Sequence, residues 1–245
     1  NYLKPYPDGM AEELYQRYGG KEAFLRETAS PALGHLNSGL QLYRLKKEKP
    51  AVFQRIRHSY HLPQYLAALL HGQPVSEMTS IGCHTALWDF VNWDYHKWVK
   101  DEGIASTLPA SGVTDTSDPI GLSRGHAPCW IGIHDSSSSM VPYMVSGREP
   151  FLLLSTGTWS ICLNPFHREP ITQRELEQDC LNYISAKGDL VRASRLFAGH
   201  MYAEGVKLLS EQFHKSEAFF QEIRADRDLL LKTMRPCSSC VQSSV

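Results

Sequence analysis

Two short apolar runs, each ending in a polar loop, organise the middle of the chain. Trp130-Ile131-Gly132-Ile133 precedes His134-Asp135-Ser136, and Phe151-Leu152-Leu153-Leu154 precedes Ser155-Thr156-Gly157-Thr158-Trp159. Continuous apolar runs this short predict buried strands, and residues 160–163 predict a strand returning from the second loop. Upstream the pattern is helical. Residues 10–30 are charged and helix-prone, with a break at Gly19-Gly20. Residues 34–49 place Leu40, Leu42 and Leu45 on one face, with a lysine-rich end and Pro50 as a stop. Leu62, Tyr65, Leu66, Leu69 and Leu70 recur at helical spacing and predict an amphipathic helix closed by Gly72. Residues 85–98, with Trp88, Trp93 and Trp98, predict a helix with loops. Residues 109–129 are rich in Pro, Gly, Ser, Thr and Asp and predict a long connection. Residues 195–213 predict a further helix carrying Leu196, Met201, Val206, Leu208, Leu209 and Phe213. This order of elements predicts an α/β protein of two lobes that meet near residues 143–150.

Composition narrows the class. The 245 residues are 42% hydrophobic and 21% charged, as in an ordinary globular protein with room for a real core. A formal net charge of −1 gives no electrostatic reason to expect nucleic acid or an anionic membrane. No apolar run approaches the ~20 residues of a membrane span. Cys83, Cys129, Cys162 and Cys180 stand among apolar neighbours, which predicts buried thiols in a reducing cytoplasm. Cys237 and Cys240 have metal-ligand spacing, but no second pair accompanies them, and the tail from about residue 236 is expected to be disordered. The chain opens on Asn1-Tyr2 rather than Met, which suggests a fragment or a processed end.

Asp135 leads the candidate chemistry. It could cap the helix predicted to follow it, or act as a general base toward a substrate hydroxyl. The first role does not exclude the second, because a helix N-terminus favours a carboxylate. His134 could bond a carbonyl or a substrate. The loop 155–158 could be a plain hairpin turn. It could also hold phosphate, with Gly157 allowing close backbone approach and Thr158 donating a hydroxyl. No GxxxxGK[ST] is present, which excludes a P-loop nucleotidase. Gly121-Leu122-Ser123-Arg124-Gly125 matches the GxSxG of a hydrolase nucleophile elbow. The polar residues before it cannot form the buried strand that such an elbow requires.

The ordered motifs resemble the FGGY family of carbohydrate kinases, nearest the branch of rhamnulokinase and fuculokinase. Gly132-Ile133-His134-Asp135-Ser136-Ser137-Ser138-Ser139 and Ser155-Thr156-Gly157-Thr158-Trp159-Ser160 carry the likeness. Asn37-Ser38-Gly39-Leu40-Gln41-Leu42, Leu62-Pro63-Gln64-Tyr65-Leu66 and Ser76-Glu77-Met78-Thr79-Ser80 follow the family order upstream. The resemblance implies an actin-like ATPase (RNase H-like) two-lobed sugar kinase fold, incomplete at both ends. Residues 1–145 would be the later part of the sugar-binding lobe, and residues 146–245 the beginning of the ATP-binding lobe.

It further implies ATP-dependent phosphorylation of a ketose hydroxyl of rhamnulose, fuculose or xylulose type, with ATP and Mg²⁺. Asp135 would be the base. His134, Ser136, Asn37, His35 and Gln41 would touch the sugar, and Gly157, Thr158 and Glu204 would contact ATP. Sugar and ATP would be the partners, without nucleic acid or membrane, and the resemblance leaves room for a homodimer. The family's opening D-x-G-T-[ST] segment and its C-terminal Gly-Gly adenosine segment have no counterpart, and Gln64 stands where an acidic residue is common. The chain is therefore expected to be the middle portion of a sugar kinase. The alternative is a kinase-derived piece that binds sugar or a partner without catalysis.

Overall fold

The computed structural model describes residues 4–109, 116, 119–147, 149–157 and 159–233. They fall into two compact units, Asn1–Leu196 and Phe197–Val245. Thr158 and the Cys237/Cys240 pair lie outside the described residues.

The first unit opens with α1 (Met10–Arg17) and α2 (Lys21–Thr28). Gly19 and Gly20 separate them with φ of 93° and 90°, backbone that side chains with a Cβ avoid. A 3₁₀ turn at Gly34–Leu36 leads into α3 (Ser38–Glu48), which buries Leu40 and Tyr43. Pro50 does end that helix, and it then opens α4 (Pro50–Phe53) at a position where its missing N–H is harmless. Next come α5 (Leu62–His71), stopped by Gly72 in the left-handed region, and the single turn α6 (Met78–Ile81).

The indole expectation at 85–98 needs correction. Most of that segment is a hairpin, β1 (Trp88–Asp89) against β2 (Asp94–Tyr95), before the short helix α7 (Lys97–Asp101). Asp89 makes the turn, its Oδ1 accepting from the amides of Val91 at 2.8 Å and Asn92 at 3.0 Å. Local side-chain bonding of this kind competes with helix.

The connection at 109–129 ends in a second hairpin, β3 (Gly121–Leu122) with β4 (Pro128–Cys129). Ser123 sits in its turn, where its hydroxyl accepts from the amide of Ala127 at 3.1 Å. No elbow forms there. Residues 130–133 form no helix and join no sheet, contrary to the expected strand. After α8 (Asp135–Ser146) comes a four-stranded antiparallel sheet. It comprises β5 (Leu153–Ser155), β6 (Ser160–Asn164), β7 (Cys180–Ile184) and β8 (Leu190–Leu196), in the order β5-β6-β8-β7, with α9 (Gln173–Glu177) before β7. The run at 151–154 is therefore an edge strand, not a buried one, and Leu152 and Leu154 are exposed.

Two apolar clusters hold this unit. Leu14, Phe24, Leu40, Tyr43, Leu87, Trp98 and Ile104 pack with Ile171, Leu176 and Ile184, so the packing runs across residue 146. Cys83, Met140, Leu163, Leu181, Tyr183, Val191 and Ala193 form the other, which seats α8 on the sheet.

The amphipathic reading of α5 is inverted by the fold. Leu62, Tyr65, Leu66, Leu69 and Leu70 are all exposed, while Gln64 and Ala67 are buried. Gln64 is drawn inward by hydrogen bonds, described below. In the second unit α10 (Ala198–Phe213) is followed by α11 (Glu217–Gln221) and α12 (Arg227–Thr233). The helix expected from 195 begins three residues later, because Arg195 and Leu196 pair with Ile161 and Ser160 in the sheet. Among the described residues no helix is long and apolar enough to cross a membrane.

Candidate active site

Asp135 is the first residue of α8, and its side chain is 94% exposed. It is not the helix cap. That position belongs to His134, which makes no capping bond with its side chain. Asp135 Oδ1 instead accepts from the amide of Ser136 at 2.6 Å and from its hydroxyl at 3.3 Å. Two residues further, Ser137 Oγ donates to the carbonyl of Ile184 at 2.8 Å and ties the head of α8 to the end of β7.

Behind Asp135 lies a buried polar net. Glu77 is fully buried, and its carboxylate accepts from Thr79 N (2.8 Å), Thr79 Oγ1 (2.6 Å), Ser80 N (2.7 Å) and Gln64 Nε2 (3.0 Å). The same Gln64 amide donates to the carbonyl of Gly132, and Thr79 Oγ1 accepts from the amide of His134 at 2.9 Å. Residues 132–134 thus spend backbone groups on side chains rather than on a neighbouring strand, which is why no ladder forms. Gly132 is required there, since a Cβ would stand 2.4 Å from the carbonyl oxygen of Pro63. Sequence reasoning passed over Glu77 and Thr79 as partners of Asp135. Spacing could not reveal them, because the bonds that join this net to Gly132 and His134 span 68 and 55 residues.

His134 packs on Tyr183 with ring centroids 5.4 Å apart. Its Nε2 lies 3.1 Å from Cys83 Sγ and 3.3 Å from Asp135 Oδ1, while Nδ1 is buried without a partner among the described residues. Burial holds the imidazole below its usual value, although Asp135 and Glu77 pull the other way. Burial also pushes the Cys83 thiol far up. A nucleophilic Cys-His-Asp relay needs thiol and carboxylate on opposite ring nitrogens. Here both face Nε2, so the group is a neutral wall beside the carboxylate.

Asn37 and Gln41, the upstream candidates for sugar contact, both bond to backbone within the fold. Asn37 is buried, accepting from Leu33 N (2.9 Å) and donating to Pro31 O (3.2 Å) and His84 O (3.0 Å). Gln41 donates to Lys4 O (2.8 Å) and His35 O (3.3 Å) and accepts from Arg44 Nε at 2.9 Å. Both side chains clip backbone. His35 is half-buried on the 3₁₀ turn.

Loop 156–159 joins β5 to β6, so the hairpin reading of that motif is correct as far as the backbone goes. Gly157 is exposed, and a Cβ there would meet only the Trp159 carbonyl, at 3.7 Å. Its glycine is thus not demanded by the fold. Glu204 is exposed on α10 in the second unit. Cys83, Cys129, Cys162 and Cys180 are free thiols. The one three-ligand cluster among the described residues, Glu27-Asp89-His96, lies at the β1–β2 hairpin.

The fold belongs to a known class. The chain is similar to rhamnulokinases and to solved carbohydrate kinases, and it has the actin-like ATPase fold of sugar kinases. A rhamnulokinase from Oceanobacillus iheyensis is 24% identical over 253 aligned residues, covering 95% of this chain and 52% of that protein. A rhamnulokinase from Halalkalibacterium halodurans is 32% identical over 173 residues, covering 66% of this chain and 35% of that protein. Among solved structures, a carbohydrate kinase from Novosphingobium aromaticivorans superposes with a TM-score of 0.71 at 26% identity, over 84% of this chain and 46% of that one. No family model matches the chain. It spans about half or less of the length of these curated relatives.

Proposed function

We propose that this chain carries the acceptor side of an ATP-dependent sugar kinase, in which Asp135 takes the proton from a ketose hydroxyl. The observation that carries the reading is Asp135 itself. It is an almost fully exposed carboxylate at the head of a helix, braced from behind by the buried Gln64-Glu77-Thr79 net. A base placed so rigidly loses little entropy on meeting its substrate, which is what phosphoryl transfer asks of the protein.

His134 and Ser136 flank the carboxylate and would orient the sugar, the neutral imidazole donating or accepting from a hydroxyl. Gly157 and Thr158 would meet the phosphates of ATP, and Glu204 would make a polar contact to the nucleotide. ATP supplies the phosphoryl group. Mg²⁺ suits the site in that it keeps much of its water and is held largely by phosphate oxygens, needing no cage of protein ligands. Residues 1–145 would serve the sugar and residues 146–245 the nucleotide. The order of the motifs and the rhamnulokinase relatives support a ketose as substrate.

Asp135→Asn tests the assignment in a protein that phosphorylates ketoses. Loss of a general base lowers kcat by about 10²–10⁴-fold, and a loss smaller than about tenfold refutes the role. Calorimetry with Mg-ATP and with ketoses separates a kinase from a binding remnant. The remnant binds sugar but releases no ADP in its presence.

A further inference from the structure

Arg195 lies in β8 opposite Ile161 of β6, next to the point where the 156–159 loop enters the sheet. Its guanidinium carbon is 5.0 Å from the centre of the Trp159 ring, and Nη2 donates to Asp179 Oδ1 at 2.9 Å. The side chain is only 7% exposed, whereas that of Asp179 is 53% exposed. Nε is buried with no hydrogen-bond partner among the described residues. A buried cation whose carboxylate stands half in water is poorly compensated. An unpaired buried N–H adds further cost.

The positive charge also acts in the other direction. It opposes the upward push of burial on the Cys83 thiol and the Tyr183 phenol and adds to the burial that holds the His84 imidazole down. No motif marks Arg195, and neither Asp135 nor the loop needs it for its own backbone.

We propose that Arg195 is a positioning residue for polyphosphate binding: it clamps the face of Trp159, thereby steadies the turn that follows Ser155, and supplies positive charge beside it. Arginine suits both tasks, since its plane stacks on an indole while its remaining N–H groups stay directed at an anion. The inference rests on the reading of that loop as a phosphate site.

Tripolyphosphate titrated calorimetrically into the full chain tests it. The wild type binds. Arg195→Met weakens binding by about tenfold, one charge-assisted contact's worth. Arg195→Lys recovers most of the loss by keeping the charge. Trp159→Leu, which removes the clamp and leaves the cation, also weakens binding, and it decides the matter should Arg195→Met fail to fold. Equal affinity of wild type and Arg195→Met refutes the role of Arg195 alone. Absence of binding in the wild type refutes the phosphate reading of the loop, and the role of Arg195 falls with it.

Discussion

Asp135 and Glu77 are both acidic, yet the structure gives them opposite duties. Asp135 is 94% exposed and holds only its neighbours His134 and Ser136, so Asp135→Asn is expected to change folding stability by no more than about 0.5 kcal/mol. That makes it a clean probe of chemistry. Glu77→Ala removes an acceptor shared by four donors in the interior, and the expected cost is about 3–5 kcal/mol in urea unfolding. A cost near zero would mean the net does not brace residues 132–134. Gly157 gives a third test. Alanine fits there without a clash, so Gly157→Ala should leave the unfolding midpoint unchanged and weaken only Mg-ATP binding. If affinity is also unchanged, the loop backbone does not approach phosphate. Asp135 and Gly157 were legible as motifs, whereas Glu77 acquires its meaning only when Gln64 and Thr79 are brought to it.

Among the elements, α5 departs furthest from its pattern. Five apolar side chains at helical spacing normally mark a core face, but here Leu62, Tyr65, Leu66, Leu69 and Leu70 face solvent. Burying Gln64 against Glu77 and Gly132 fixes the rotation of the helix, and the stripe points outward as a consequence. Leu66→Lys with Leu69→Lys should therefore alter stability by less than about 1 kcal/mol while raising solubility, as read by unfolding and light scattering. A large destabilisation would place these leucines in a core. The Gly132 segment obeys the opposite logic. Gly132→Ala forces Cβ against the Pro63 carbonyl, displaces the approach to Asp135, and should lower kcat of an active kinase as well as stability.

For the molecule as a whole, pH exposes how the histidines are housed. Burial pulls His61 and His84 down to about 4, with each also repelled by His134 and His84 by Arg195. In the unfolded chain they titrate near ~6.5. Below that value the unfolded state binds more protons, so stability falls as pH drops from 6.5 toward 4, by on the order of 1–2 kcal/mol per histidine at about pH 5. Glu102 and Glu175 are held below the usual carboxylate range despite partial burial, by Lys46 and Arg17 and by Thr172 and Arg192 respectively. Their contribution is present above ~4.5 and is lost as pH falls further. Urea midpoints at neutral and mildly acidic pH measure the histidine part, and His61→Gln with His84→Gln should flatten the slope. A flat wild-type profile would show that neither ring is kept neutral by the fold.

The sequence by itself determined the chemistry-bearing positions: the His134-Asp135 corner, the Ser155-Thr156-Gly157 turn, the helix breaks at Gly19-Gly20 and Gly72, and the likeness to sugar kinases. These are local properties, written in spacing, turn residues and motif order. Only the tertiary structure decided which way α5 faces, that residues 130–133 are braced by side chains instead of a strand, that Asn37 and Gln41 hold backbone, and that Arg195 lies under Trp159. Each of those depends on a hydrogen bond or contact between residues far apart in the chain, which no periodicity encodes.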